Sequence, residues 1–175
     1  MIPQIQIEKI KGYNSSGIGM KINSDIEGAL FPVNYKLLDE ASDILVSKMN
    51  SDQIDLIIGL AGRGIIPAFI LAQKLKKPLQ IAYKNRLSLP NEIIVTEEHS
   101  RNKNLYFYIN SMFENKRICI VDDEITSGNT FLNVYKELNS KGFVVNCFVA
   151  YIENGRNGRI LLENRDAKLY TVFQV

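Results

Sequence analysis

Apolar positions along the chain alternate between two periods. From Tyr35 to Met49 they recur at Leu37, Leu38, Ala41, Ile44, Leu45 and Met49, the spacing of a helix with Asn34 placed to cap it. Asp55 to Leu60 is instead a short continuous apolar run, followed by Gly59, Gly62 and Gly64, which predicts a buried strand and a tight loop. Ile65 to Leu75 returns to helical spacing and stops at Lys76-Lys77-Pro78, and Leu79 to Tyr83 is the next strand. Further strands are predicted at Arg117 to Val121, Val144 to Ile152 and Leu169 to Phe173, with a helix from Asn129 to Lys141 closed by Gly142. The first thirty residues are rich in Gly, Ser and Asn and predict short strands and loops at one edge.

Nearly all-apolar strands alternating with helices make an α/β protein: a central parallel sheet flanked by helices on both faces. Ligands of such sheets lie beyond the carboxyl ends of the strands. The loops at residues 59–64 and 122–130 both fall at such ends, which locates the site. Residues 84–110 break the rhythm. Two β-leaning pieces, 92-EIIVTEE-98 and 105-LYFYI-109, flank a charged centre, and they predict a hairpin or flap projecting from the main sheet.

Composition narrows the class. A chain of 175 residues with 46% hydrophobic and 23% charged residues suits one domain, 1–175, with the flap as part of it. The net charge of +2 gives no general attraction to nucleic acid or anionic membrane, and neither is expected as a partner. Cys119 and Cys147 lie in apolar runs without metal-type spacing and read as reduced core residues. The N-terminus MIPQIQIEKIKG lacks a basic start followed by a long apolar run, and the apolar stretch from Leu56 to Ala72 is broken by Arg63 and Pro67. A cytoplasmic location is the expectation.

The chemistry concentrates in 117-RICIVDDEITSGNT-130. Thr126, Ser127, Gly128, Asn129 and Thr130 stand between a strand and a helix, so the open N–H groups of the helix start, its dipole and three hydroxyls make a phosphate cradle. The spacing is not that of a P-loop, because no lysine follows Gly128, and a monophosphate fits better. Asp122 and Asp123 diverge by strand alternation and accept charge-assisted bonds from hydroxyls. Beside a phosphate cradle they suit the vicinal diol of a sugar phosphate. Helix capping or surface pairing is the alternative use of the two acids.

VDDEITSGNT resembles the phosphoribosyl-pyrophosphate motif of type I phosphoribosyltransferases: apolar strand, two acids, a variable pair, and a Thr/Ser-Gly turn ending in Thr. The resemblance implies that Asp122 and Asp123 hold the ribose 2- and 3-hydroxyls, that Thr126 to Thr130 bind the 5-phosphate, and that Glu124 and Ile125 border the substrate. It implies a second loop contacting pyrophosphate, where Ala61, Gly62, Arg63 and Gly64 stand, with the Arg63 fork suited to phosphate oxygens. Lys84 and Arg86 occupy a place where relatives put basic residues, although surface solvation accounts equally well for Lys84. The family's mobile hood corresponds to residues 84–110, and within it Glu97, Glu98 and His99 could position a base or act as general acid and base.

The reaction implied is magnesium-dependent transfer of phosphoribosyl from phosphoribosyl pyrophosphate to a nucleobase, a purine in the first instance, with Mg²⁺ held mainly by substrate phosphates and water rather than by protein ligands. By analogy the assembly is a homodimer. LAGRGIIPA and the hood resemble the adenine/xanthine type. Glu124, where that type has an apolar residue, and Asn129, where it often has glycine, depart from it. VDDEITSG with EEHS instead resembles phosphoribosyltransferases of tellurite-resistance and stress operons, implying a nucleoside-like acceptor. A non-catalytic regulator sensing phosphoribosyl pyrophosphate is the remaining alternative.

Overall fold

The computed structural model describes residues 2–14, 17–96, 104–109, 111–163 and 165–175. The strands are β1 (Ile7–Asn14), β2 (Gly17–Ser24), β3 (Leu56–Leu60), β4 (Leu79–Ala82), β5 (Ile93–Thr96), β6 (Asn104–Phe107), β7 (Arg117–Ile125), β8 (Val144–Glu153) and β9 (Lys168–Gln174). The α-helices are α1 (Tyr35–Lys48), α2 (Ile65–Leu75), α3 (Asn129–Ser140) and α4 (Asn157–Leu162). Among the described residues, five strands form a parallel sheet in the order β4-β3-β7-β8-β9.

Alternate residues of the central strands feed two cores, which is why these strands read as unbroken apolar runs. Ile57, Cys119, Val121, Cys147, Val149 and Tyr151 face α1 and α2. Leu56, Ile58, Leu60, Ile118, Ile120 and Phe148 face α3 and the β5–β6 hairpin. Both cysteines are free and buried.

Helix ends follow local chemistry. The Asn34 side chain accepts from the Leu37 amide at the start of α1, and Lys76 ends α2 in the left-handed conformation, φ 54°. At the amino ends of the same strands, away from the site, Asp55 at the foot of β3 grips Arg117 at the foot of β7. Arg117 donates to its carboxylate from the backbone at 2.8 Å, from Nε at 3.0 Å and from Nη2 at 3.1 Å. That clamp sets the register of the two strands whose far ends carry the candidate chemistry.

The structure departs from the expectation in three places. The strand expected to end at Val121 continues to Ile125, because β8 runs alongside and pairs as far as Ile125 with Glu153. The acids are therefore strand residues. The expected projecting flap is an antiparallel hairpin, Ile93 opposite Phe107, whose base is part of the core: Ile93, Val95, Leu105 and Phe107 are buried. A pair of backbone bonds between Tyr83 and Tyr106, both 2.7 Å, ties it to the end of β4. The N-terminal segment does more than form an edge, since Ile22 and Ile26 are buried in the core of α1 and α2. No helix among the described residues is long and apolar enough to cross a membrane.

Candidate active site

β3 and β7 are adjacent and parallel, so their carboxyl ends deliver two loops to one place. A cavity of about 390 Å³ opens there, lined by Ala61, Gly62, Arg63, Lys84, Asp122, Asp123, Glu124, Ile125, Thr126, Ser127, Gly128, Thr130 and Phe131.

The turn from β7 to α3 requires Gly128. Its φ of +78° is in the left-handed region, and a β-carbon there would stand 3.0 Å from Gly158 of α4. Gly158 is equally confined, because a β-carbon on it would come within 2.5 Å of the Ile125 side chain. Two glycines thus let α4 back the turn closely. α3, a twelve-residue helix, begins at this turn, so the positive end of its dipole stands at the cavity wall that Gly128 and Thr130 line.

The loop after β3 is shaped differently. The Ala61–Gly62 peptide is cis, and a side chain on Gly62 would meet nothing within 4 Å. The backbone there faces open cavity. Gly64 is the opposite case and lies directly against Asp122.

The two aspartates part company. Asp122 accepts the amide of Asp123 at 2.9 Å. Burial and then the charge of Asp123 raise the Asp122 pKa well above the ordinary carboxylate value, while the Asp123 amide and the charge of Lys84 oppose the shift. Asp123 is buried and turns to Arg63, with Nε at 3.5 Å from Oδ2. Glu124 completes a third acid in the cavity wall. Its carboxylate accepts from Thr126 Oγ1 at 2.6 Å and from Asn154 Nδ2 at 3.0 Å.

Arg63 is placed at the expected loop and lines the cavity, and its fork is engaged by acids of the chain itself. Nη1 lies 3.0 Å from Glu27 Oε2, Nη2 lies 3.7 Å from Glu124 Oε2, and Nη1 also donates to the Ile22 carbonyl. Burial opposes its charge, yet Asp123, Glu27 and Glu124 together outweigh burial and hold its pKa above the ordinary value. The reason is plain electrostatics: several acids converge on one guanidinium in a partly desolvated site.

Other expected residues are elsewhere. Arg86 donates to Glu92 Oε2 at 3.2 Å within the segment leading to the hairpin, and it does not line the cavity. Asn129 heads α3 without lining the cavity either, and Gly64 acts from beneath Asp122. Glu98 and His99, with Glu97, lie outside the described residues. Three residues were not anticipated: Glu27, Asn154 and Phe131. Asn154 follows the carboxyl end of β8 and the strand-end rule points to it. Glu27 sits in a stretch with no periodic signal, and nothing local marks it.

Residues 34–174 match the profile of the phosphoribosyl transferase domain. The chain belongs to that family. It is 31% identical over 123 residues to a hypoxanthine/guanine phosphoribosyltransferase of Methanohalophilus mahii, covering 70% of this chain and 64% of that protein. A hypoxanthine/guanine phosphoribosyltransferase of Methanotorris igneus is 29% identical over 143 residues, covering 82% and 78%. Among solved structures, the adenine phosphoribosyltransferase of Thermoanaerobacter pseudethanolicus superposes with a TM-score of 0.73 at 22% identity, covering 97% of this chain and 95% of that one. The likeness to that structure establishes the fold, a type I phosphoribosyltransferase sheet. Within the family frame, the β7–α3 turn and the loop after β3 are the two segments that the resemblance assigned to phosphate and pyrophosphate, and they line one cavity.

Proposed function

We propose that this protein transfers a phosphoribosyl group from 5-phosphoribosyl 1-pyrophosphate to a purine nucleobase, releasing pyrophosphate. One observation carries the reading: the α3 N-terminus, the Asp122–Asp123 pair and the glycine-rich loop after β3 surround a single cavity. A 5-phosphate would rest on the amides of the Thr126–Thr130 turn. The ribose hydroxyls would donate to Asp122 and Asp123, and the pyrophosphate would lie against the Ala61–Gly64 backbone with Lys84 at its side.

The acceptor ring nitrogen forms its bond to the anomeric carbon as the bond to pyrophosphate oxygen breaks and the pyrophosphate leaves with the electron pair. The acceptor then loses its ring proton. The chain contributes position and electrostatics rather than a covalent nucleophile. Closure of the hairpin over the cavity would keep water from the oxocarbenium-like centre. Magnesium on the substrate's phosphates would supply neutralisation of the departing charge.

Glu124 favours a second reading. A carboxylate held by Thr126 and Asn154 in the cavity wall suits an acceptor richer in donors than a plain purine, such as a nucleoside-like molecule.

A screen of purines, pyrimidines and nucleosides with phosphoribosyl pyrophosphate and Mg²⁺, scored by pyrophosphate release, tests both. Release with a purine supports the first reading, and release only with a nucleoside supports the second. Binding of phosphoribosyl pyrophosphate with no release under any condition would replace both by a sensor. In the same assay Glu98→Ala and His99→Ala should lower turnover more than sugar-phosphate binding.

A further inference from the structure

We infer that Glu27 is a positioning residue of this site, which orients Arg63 and thereby couples binding of the anionic sugar to uptake of a proton. The inference rests on the phosphoribosyl pyrophosphate reading for its ligand and on geometry for its mechanism.

Glu27 lies in the segment between β2 and α1, remote in sequence from the acids of β7, and its side chain is fully buried. Its Oε1 accepts the Ser24 amide at 3.1 Å and Arg63 Nη1 at 3.2 Å. Its Oε2 stands 3.0 Å from the same nitrogen but receives no well-directed hydrogen bond. Asp123 meets the same guanidinium from the other side, so the two acids share Arg63 as a counter-ion. From β7, Asp123 and Glu124 face the guanidinium; from the loop after β3, only Arg63 faces Glu27 with positive charge among the described residues. Lys84 acts on Asp122 instead. Asp25, two residues earlier, is engaged elsewhere by the Gln6 amide and Asn34.

The charges do not balance around Arg63. One guanidinium answers Glu27, Asp123 and Glu124, so an excess of negative charge sits where a polyanion must dock. Burial raises the Glu27 carboxyl to about 7, with Asp123 adding to the shift and Arg63 and the Ser24 amide opposing it. If the ligand's pyrophosphate draws Arg63 away, Glu27 loses its main opposing charge, and its proton affinity rises further. Proton uptake on binding follows, and affinity falls as pH rises above neutrality.

Two measurements test this on the full chain. In the free protein, carbon-13 titration of the glutamate carboxyls, with Glu27 assigned through Glu27→Gln, should show a midpoint near neutrality; a midpoint in the ordinary carboxylate range overturns the inference. Calorimetry of phosphoribosyl pyrophosphate binding in buffers of different ionisation enthalpy should show about one proton taken up near pH 7.5, with affinity falling up to about tenfold per pH unit above neutrality. Glu27→Gln should flatten that profile and change KM more than kcat. Equal uptake and an equal profile in wild type and Glu27→Gln would overturn it. Failure of the wild type to bind the ligand at any pH overturns the activity reading and the linkage with it, and it is distinguishable because the free-protein titration is read without ligand.

Discussion

Gly64 lies directly beneath Asp122: a β-carbon on Gly64 would stand 2.6 Å from Asp122 Oδ1 and 2.9 Å from its Cα, with the Leu60 carbonyl at 2.7 Å. The φ of Gly64 is −72°, so the glycine is required by space and not by backbone conformation. The loop after β3 and the acid on β7 are thereby one packed unit. Gly64→Ala must displace either the loop or the carboxylate. We expect at least a tenfold loss of phosphoribosyl pyrophosphate affinity, measured by calorimetry, and a stability cost of about 1–3 kcal/mol. Unchanged affinity in a folded variant would show that Asp122 does not need its present position.

Glu124 should govern the acceptor more than the sugar phosphate. Replacing it by leucine removes the partner of Thr126 Oγ1 and Asn154 Nδ2 while leaving Asp122 and Asp123 in place. We expect the acceptor KM to shift tenfold or more, about the effect of one charge-assisted hydrogen bond. Phosphoribosyl pyrophosphate affinity should change much less. Parallel losses for both substrates, in initial-rate measurements, would assign Glu124 to the structure of the turn instead.

Arg159 links α4 to the sheet and, through it, supports the phosphate turn. It donates to Glu153 from Nε at 2.7 Å and from Nη2 at 2.6 Å, and Nη2 also reaches Thr171 Oγ1 at 3.0 Å. Glu153 is buried, so Arg159→Ala strands a carboxylate and should cost about 3 kcal/mol in chemical denaturation. Gly158 precedes Arg159 and packs on Gly128, so phosphate affinity should fall as well. A stability loss with full retention of phosphate affinity would separate α4 from the turn.

The Asp55–Arg117 clamp predicts the acid limb of the stability curve. Hydrogen bonds from the Arg117 side chain, and then from its backbone, lower the Asp55 pKa to about 2. A carboxylate with a depressed folded-state pKa stabilises the fold above its unfolded value, and that contribution is lost as pH falls through the carboxylate range toward 2. Arg117 is partly exposed, so solvent screening keeps that contribution small. Asp55→Asn should lose it at pH 7 and show a flatter decline between pH 4 and 2. An unchanged acid limb in thermal melts would remove the clamp from the account.

Much of the fold was legible because its causes are local. Asn34 capping α1, Lys76-Lys77-Pro78 ending α2 and the alternation of apolar runs each act within a few residues. The strand–turn–helix around Gly128 was legible for the same reason. The end of β7 was not, since β8 decides how far the acids continue as strand. Nor was the seating of the hairpin, whose inward face finds its core only once α3 covers it.

The candidate site divides along the same line. Consecutive residues determine that Asp122, Asp123 and the Thr126–Thr130 turn stand at one strand end, because a strand followed by a helix start needs no distant partner. Arg63 shows the other half. Its residue type and loop were readable, but its partners, Glu27 and Asp123, come from separate segments. Which charges meet is set by which loops the sheet brings to one edge and how little water remains between them, and that is a property of the packed chain alone.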